Sequence, residues 1–310
     1  MPIEQPRVNQ SATESETPQR VWLNGELVEA GQAGISLFDH GLLYGDGVFE
    51  GIRAYNGSIF KLHTHLRRLF NSAKAIRLEM PYSLETLAEA CRTTLQANGA
   101  GDAYIRLCVT RGPGTLGLHP FKCERPSVFI IVGSISLYPD ELYSHGMAVV
   151  TASTVRNHPA AISPRIKSMN YLNNILAKIE AIDAGVLEAV MLNPEGYVAE
   201  CTGDNICIIR QLAGRPTLLT PPLHAGCLEG VTLDTVMRLA EKAGLDVHRT
   251  ALTKYDLYSA DEMFLTGTAA EIMPVTKIDH RSIGDGEPGA WTRSLIDQFR
   301  RFVKEQCPED

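Results

Sequence analysis

Apolar positions become regular from Arg20 onward. Val21-Trp22-Leu23 and Leu27-Val28 flank Asn24-Gly25, a pair that supplies the positive φ angles of a two-residue turn, so this stretch predicts a β-hairpin. Asn56-Gly57 repeats the signal between Val48–Tyr55 and Ser58–Phe60. Leu66, Leu69, Phe70, Ala73 and Ile76 recur at helical spacing and predict a helix over His65–Leu78. A second helix fits Ser83–Asn98, ended by Gly99. Ala103–Thr110 and Ser127–Val132 read as buried strands. Hairpins, two helices and then strands suggest an α+β unit.

Residues 133–146, with one Pro and two Gly, read as a crossover. Strands then fit Met147–Ser153, Glu188–Leu192, Tyr197–Glu200 and Asn205–Arg210, with short ones near Val247, Met263 and Val275. Helices fit Tyr171–Ala184, Gly230–Ala243 and Ala290–Lys304. No internal repeat is visible. The expected organisation is a small domain over 20–135, a connection over 136–146 and a larger domain over 147–310. Residues 1–19 are rich in Gln, Ser, Thr, Glu and Pro and read as a disordered tail.

Composition narrows the function. The 310 residues are 44% hydrophobic and 21% charged, as in a globular protein. A net charge of −7 gives no footing for nucleic acid or an anionic membrane. No apolar run approaches the roughly 20 residues of a membrane span. Seven scattered cysteines without a C-x-x-C read as reduced thiols. The tail lacks the apolar core of a secretory signal, and Glu4, Glu14 and Glu16 argue against a transit peptide. The expected location is cytoplasmic.

Two motifs lead nowhere. Gly112-Pro113-Gly114-Thr115-Leu116-Gly117 fits the dinucleotide pattern, but that pattern needs a helix directly after it, and Leu118-His119-Pro120 follows. It reads as a connecting loop. His63 and His65 would point to different faces of a helix and cannot chelate together. His119 and His224 have no partners at ligand spacing, so no metal site is expected.

The informative segment is Arg165-Ile166-Lys167-Ser168-Met169-Asn170-Tyr171. A Lys among apolar neighbours, taken alone, reads as a surface residue at a strand end. Three later segments change that reading. Val198-Ala199-Glu200-Cys201-Thr202-Gly203 closes an apolar strand with an acid. Cys227-Leu228-Glu229-Gly230-Val231-Thr232 opens a helix, and Leu265-Thr266-Gly267-Thr268-Ala269 is a small-residue turn after a strand. A Lys amine condenses with an aldehyde. A carboxylate favours a protonated pyridine nitrogen. A helix N-terminus offers free N–H groups to a phosphate, and an Arg adds a charge-assisted bond. All four fit one cofactor.

In the order and spacing of these segments the chain resembles the fold-type IV pyridoxal-phosphate enzymes, and among them the branched-chain amino-acid aminotransferases, over nearly all of residues 20–305. The resemblance implies a two-domain α+β fold like that of D-amino-acid aminotransferase, with the larger, β-barrel-like C-terminal domain binding pyridoxal 5'-phosphate. It makes Lys167 the Schiff-base lysine, Tyr171 the partner of the phenolic oxygen and Glu200 the acid on the ring nitrogen. His65-Leu66-Arg67-Arg68-Leu69 matches H-x-x-R-L and makes Arg68 the phosphate arginine. Leu228 packs on the ring, and Val231, Thr232 and Thr268 bind phosphate.

Tyr104 and Arg106 share a strand face and form a carboxylate grip, resembling the family's Y-x-R feature. Tyr44, Phe49 and Gly51 line the pocket, and the Thr268 and Ala269 amides add carboxylate donors. Cys201 and Leu233 depart from the common pattern, and Leu233 removes a positive charge near the phosphate turn. The implied reaction is ping-pong transfer of the amino group of Leu, Ile or Val to 2-oxoglutarate. Alternatives on the same scaffold are D-amino-acid or (R)-amine transamination and aminodeoxychorismate lysis. The implied partners are amino acids, 2-keto acids and at least one further copy of the chain.

Overall fold

The computed structural model describes residues 19–134 and 137–308. The expected tail lies outside these residues except for Gln19, as does residue 136 of the expected connection. Asn24 and Asn56 both take φ of 50°, and each turns a hairpin. The first joins β1 (Arg20–Leu23) to β2 (Glu26–Glu29), the second β3 (Gly47–Tyr55) to β4 (Ser58–Ile59). With β5 (Ala103–Thr110) and β6 (Ser127–Gly133) they make a six-stranded antiparallel sheet of order β2-β1-β6-β5-β3-β4. Helix α1 (His40–Tyr44) precedes β3, while α2 (Leu62–Ala75) and α3 (Leu84–Ala97) cover one face. Val48, Ile52, Ile105 and Leu107 point into that layer and pack with Leu66, Leu69, Leu87 and Leu95. The opposite face carries Phe49, Gly51 and Arg53, paired with Cys108, Arg106 and Tyr104.

Helix α2 starts and stops a turn earlier than its apolar spacing suggests. Lys61 before it and Arg77 after it are both left-handed, with φ of 53°. The Leu78 N–H returns to the Ala73 carbonyl at 2.8 Å, a closure in which glycine is the usual residue at the Arg77 position. A left-handed Lys or Arg carries no signal of its own, where a glycine would have marked the turn.

The second sheet contains nine strands. They are β7 (Met147–Thr151), β8 (Glu188–Leu192), β9 (Val198–Cys201), β10 (Asn205–Leu212), β11 (Arg215–Thr220), β12 (Asp246–Arg249), β13 (Glu262–Gly267), β14 (Glu271–Ile278) and β15 (Arg281–Ser282). The order is β12-β11-β10-β13-β14-β7-β8-β9, with β15 beside β14. The Val198 N–H donates to the Leu252 carbonyl at 2.8 Å, joining β9 to the chain that leaves β12. Those are opposite ends of the order, so the sheet curls on itself.

Helices α4 (Glu141–His145), α5 (Leu172–Asp183), α6 (Val231–Lys242), α7 (Lys254–Tyr258) and α8 (Ala290–Gln306) accompany it. Phe264 packs with Leu233 of α6 and Phe299 of α8, while its neighbour Leu265 packs with Ile206 and Met273 on the other side. Both faces are dry, which is why these strands read as short apolar runs without alternation. Helices α1, α4 and α7 and strands β11 and β15 are not among the elements that the sequence pattern predicts.

Candidate active site

Strand β4 covers only the far end of β3, leaving the edge at Gly47–Phe49 free. The extended segment Lys167–Met169 takes that edge. Phe49 N–H donates to the Lys167 carbonyl (3.0 Å) and Met169 N–H to the Gly47 carbonyl (2.9 Å). The Lys167 N–H reaches Ser72 Oγ of α2 at 3.2 Å. With its backbone fixed on both sides, Lys167 aims its amine at Tyr171 Oη (3.3 Å) and over the Phe49 ring (4.7 Å). Tyr171 packs edge-on against Phe49, their centroids 5.1 Å apart.

A cavity of about 400 Å³ opens here, within the usual range for small-molecule sites. Phe49, Gly51, Tyr104 and Arg106 line it from the first sheet. Lys167, Tyr171 and Arg68 line it as well, with Leu228, Val231 and Thr232 at the start of α6 and Thr268 and Ala269 in the β13–β14 turn. Glu200 lines a smaller adjoining hollow of about 30 Å³ that shares Lys167, Tyr171 and Leu228 with the main cavity. The expected site residues thus converge, with one exception. Tyr44 lines neither space; its phenol donates to the Leu116 carbonyl in an exposed loop.

Glu200 is pinned from three sides. Buried Arg156 donates to Oε1 through Nε (3.0 Å) and Nη2 (2.8 Å). The Leu228 N–H donates to Oε2 at 2.8 Å, and Asn205 Nδ2 lies 3.4 Å from the same oxygen. Asn205 Nδ2 also donates to the Leu228 carbonyl at 3.0 Å. A Cβ on Gly230 would meet Asn205 Oδ1 at 2.0 Å, so this approach requires glycine. Arg156 stands in a loop with no sequence pattern to mark it, and nothing local assigns it a role.

Glu50 is the other residue missed. It falls on the apolar parity of β3, between Val48 and Ile52, and is fully buried. An acid at a core position implies a partner, and that was a readable signal. Arg68 donates to it through Nε and Nη2, both at 2.7 Å, and His65 Nδ1 lies 2.8 Å away. Burial alone would raise the Glu50 pKa, but the Arg68 charge and bonds, then His65, hold it at about 2. Arg68 Nη1 donates to the Glu229 carbonyl at 2.8 Å, tying α2 to the loop that opens α6.

Helix α6 begins at Gly230 with no side-chain cap, so its first N–H groups remain available to an anion. At the other end of the cavity, a Cβ on Gly51 would sit 1.8 Å from Tyr104 Oη. Glycine is what admits the phenol. The Arg106 guanidinium lies over the Phe49 ring at 4.6 Å and the Tyr104 ring at 5.5 Å. Asp204, which also lines the cavity, accepts from the Tyr138 hydroxyl at 2.7 Å. Burial, then the charge of Glu188, pushes its pKa up to about 7. Glu188 in turn accepts from the N–H and hydroxyl of Thr202 and pairs with Lys178 at 3.3 Å. No α-helix follows Gly117; a single 3-10 turn occupies Pro120–Lys122.

This donor set fits pyridoxal phosphate. An amine lies beside a hydroxyl, a fixed carboxylate stands in the adjoining hollow, and an uncapped helix N-terminus with an arginine offers phosphate donors. Comparison with known proteins points the same way. The sequence profile of the family "Amino-transferase class IV" matches residues 47–278. A Methanocaldococcus jannaschii protein, provisionally named a branched-chain-amino-acid aminotransferase, is 46% identical over 91% of this chain and 95% of its own. The branched-chain-amino-acid aminotransferase of Pseudomonas aeruginosa is 39% identical over 89% of this chain and 90% of its own. The crystal structure of the branched-chain amino acid aminotransferase from Thermobaculum terrenum, in its PLP-bound holo form, superposes with a TM-score of 0.84 at 33% identity, covering 95% of this chain and 96% of that one. With a fold, a site and a sequence profile in agreement, this chain belongs to the class IV aminotransferase family.

Proposed function

We infer that this chain passes the amino group of a branched-chain L-amino acid to 2-oxoglutarate, in a ping-pong cycle at the cavity described above. It is a branched-chain-amino-acid aminotransferase that uses pyridoxal 5'-phosphate, in line with its family and relatives. One observation carries the residue assignment: Lys167, Glu200 and the uncapped start of α6 border two joined hollows.

When bound, pyridoxal phosphate supplies an aldehyde for amines and a protonated ring that accepts the electron pair left at the substrate Cα. Arg68, Thr268 and the N–H groups at Val231 and Thr232 hold its phosphate. Leu228 would pack on the cofactor's ring, and Tyr171 Oη would donate to its phenolic oxygen. Glu200, oriented by Arg156, would serve the ring nitrogen. Lys167 Nζ would take the substrate Cα proton as general base and pass it as general acid to the cofactor's aldehyde carbon, and in the second half-reaction it would move a proton from that carbon back to Cα. Tyr104, Arg106 and the Thr268 and Ala269 amides receive the substrate carboxylate, beside Phe49 and Gly51.

The chain works as a homodimer or larger assembly. Support comes from Leu37, Phe38, Leu42, Leu116 and Leu118, all exposed on the first-sheet side. Tyr44 stands among them and completes the partner's cavity rather than its own. The proposed domain boundary lies within 136–146, after the first sheet ends at Gly133 and before the second begins at Met147. A cytoplasmic location agrees with seven free cysteines. Among the described residues, no helix is long and apolar enough to cross a membrane.

The test is spectroscopic. L-Leucine alone should bleach the visible band of the purified holoenzyme, and 2-oxoglutarate should restore it. Lys167→Ala should abolish both responses. The reading fails if wild type has no such band, or if D-alanine or 1-phenylethylamine reacts better than L-leucine.

A further inference from the structure

Arg53 and Tyr55 follow Phe49 and Gly51 along the same face of β3, yet neither lines the cavity. They cross to the second sheet instead. Arg53 Nη1 donates to the Ala269 carbonyl at 3.2 Å, and Tyr55 Oη donates to Glu271 Oε1 at 2.8 Å. The Arg53 guanidinium lies 5.2 Å from the Tyr55 ring centre, so the two side chains brace each other.

Both acceptors belong to one hairpin turn, closed by the pair Gly267 and Glu271. Glu271 has φ of 56°, a left-handed conformation that disfavours any residue with a Cβ. Such a conformation persists where its surroundings enforce it. The Tyr55 bond supplies that enforcement. Burial, then the charge of Glu271, raises the Tyr55 pKa, so its hydroxyl stays a donor. At the other end of the turn, a Cβ on Gly267 would meet Asp204 Oδ1 at 1.9 Å, so Asp204 packs directly beneath it. The turn is therefore gripped at Gly267, Ala269 and Glu271, and the residues between these points have little freedom.

We propose that Arg53 and Tyr55 are positioning residues that hold the turn over 268–270 so that its Thr268 and Ala269 amides face the substrate carboxylate. Arg53 fixes the peptide plane that follows Ala269, and Tyr55 fixes the left-handed residue that ends the turn. This rests on the carboxylate role given above to those amides. The latch connects the two sheets across 216 positions of sequence, so the placement of the sheets sets the substrate grip.

The test uses the holoenzyme and two variants. Arg53→Met keeps the side-chain stem, and Tyr55→Phe removes one hydroxyl. The probes are 4-methylvalerate, which is leucine without its amine, and isopentylamine, which is leucine without its carboxylate. Each variant should bind 4-methylvalerate about tenfold more weakly, the scale expected when a binding group is slightly misplaced. The rate at which L-leucine bleaches the visible band should fall by a similar factor relative to isopentylamine. The loss should appear in KM more than in kcat, and Arg53→Lys should recover part of it.

Unchanged 4-methylvalerate affinity in both variants overturns the latch. So does an equal loss for L-leucine and isopentylamine, which would mean general damage. If Arg53→Met does not fold, Tyr55→Phe decides alone. A wild type that shows a visible band but no affinity for 4-methylvalerate overturns the carboxylate role and the latch with it. A wild type with no band overturns the proposed function.

Discussion

Asp204 is an acid whose ordinary charge would be costly where it stands. It is buried against the Tyr138 hydroxyl, and burial followed by the Glu188 charge moves its pKa from 3.8 to about 7. Between those two values the folded protein binds a proton that the unfolded chain has released. Stability therefore declines as pH rises through this window, and the full penalty applies above pH 7. Asp204→Asn keeps an oxygen to accept from Tyr138 and removes the titration. Its melting temperature, measured against wild type, should improve steadily from pH 5 to pH 8; a difference that does not vary with pH would refute the shift. Residues of this kind mark the edge of what a sequence discloses. Lys167, Glu200 and Thr232 stand in short motifs whose residue types announce their chemistry. Arg156, which fixes Glu200 through two bonds, is 44 positions away in an unpatterned loop. Nothing local records that pairing, because only the folded chain creates it.

The helix α2 and the strand β3 show the same dependence one level up. Glu50 is on the core side of β3, and Arg68 and His65 come down onto it from α2. The proposed phosphate arginine is thus held by a strand that supplies none of the proposed phosphate donors. The sign of its pH dependence follows from a pKa moved from 4.5 to about 2, where Arg68 and His65 outweigh the opposing effect of burial. Such a group adds stability that is complete above pH 4.5 and is lost as pH falls toward 2. Glu50→Gln leaves the Arg68 charge without its counterion, at a cost on the order of 3 kcal/mol. The variant should melt well below wild type at pH 7, bind pyridoxal phosphate more weakly by dialysis, and approach wild type below pH 4. A gap of constant size across that range would show that Glu50 acts through shape alone. Most elements were legible, since Asn-Gly turns and helical spacing report local preference directly. Strand β11 was not. Pro216 sits second in it, and proline usually argues against a strand. Here it lies next to the Ala213-Gly214 turn, both residues with positive φ, and pairs with Gln211 near the end of its neighbour.

At the scale of the whole molecule, the first-sheet loops pose a problem that a lone chain does not solve. Leu37 is 76% exposed, Leu118 79% and Leu116 69%, whereas soluble monomers rarely show large contiguous apolar patches. The loops are not slack. Buried Asp39 accepts from the Gly41 N–H (2.8 Å), the Thr110 hydroxyl (2.9 Å) and the Ser127 hydroxyl (2.7 Å). His40 Nε2 lies 2.7 Å from the Thr115 carbonyl, and the Gly114 N–H donates to Phe38 at 3.1 Å. An apolar surface held this firmly is built to be covered, and a second copy of the chain is the proposed cover. Tyr44 rides on the same framework and would reach the partner's cavity only when the two copies meet. Assembly and catalysis should then fail together. Leu118→Glu places a charge where the partner must desolvate it, which is strongly unfavourable without a counterion. Sedimentation should show wild type as a dimer or larger, and the variant dissociating at concentrations where wild type does not. The variant's turnover should follow the remaining dimer fraction and recover as protein concentration is raised. A fully active monomer would separate the site from the interface and remove Tyr44 from any role in the partner's pocket.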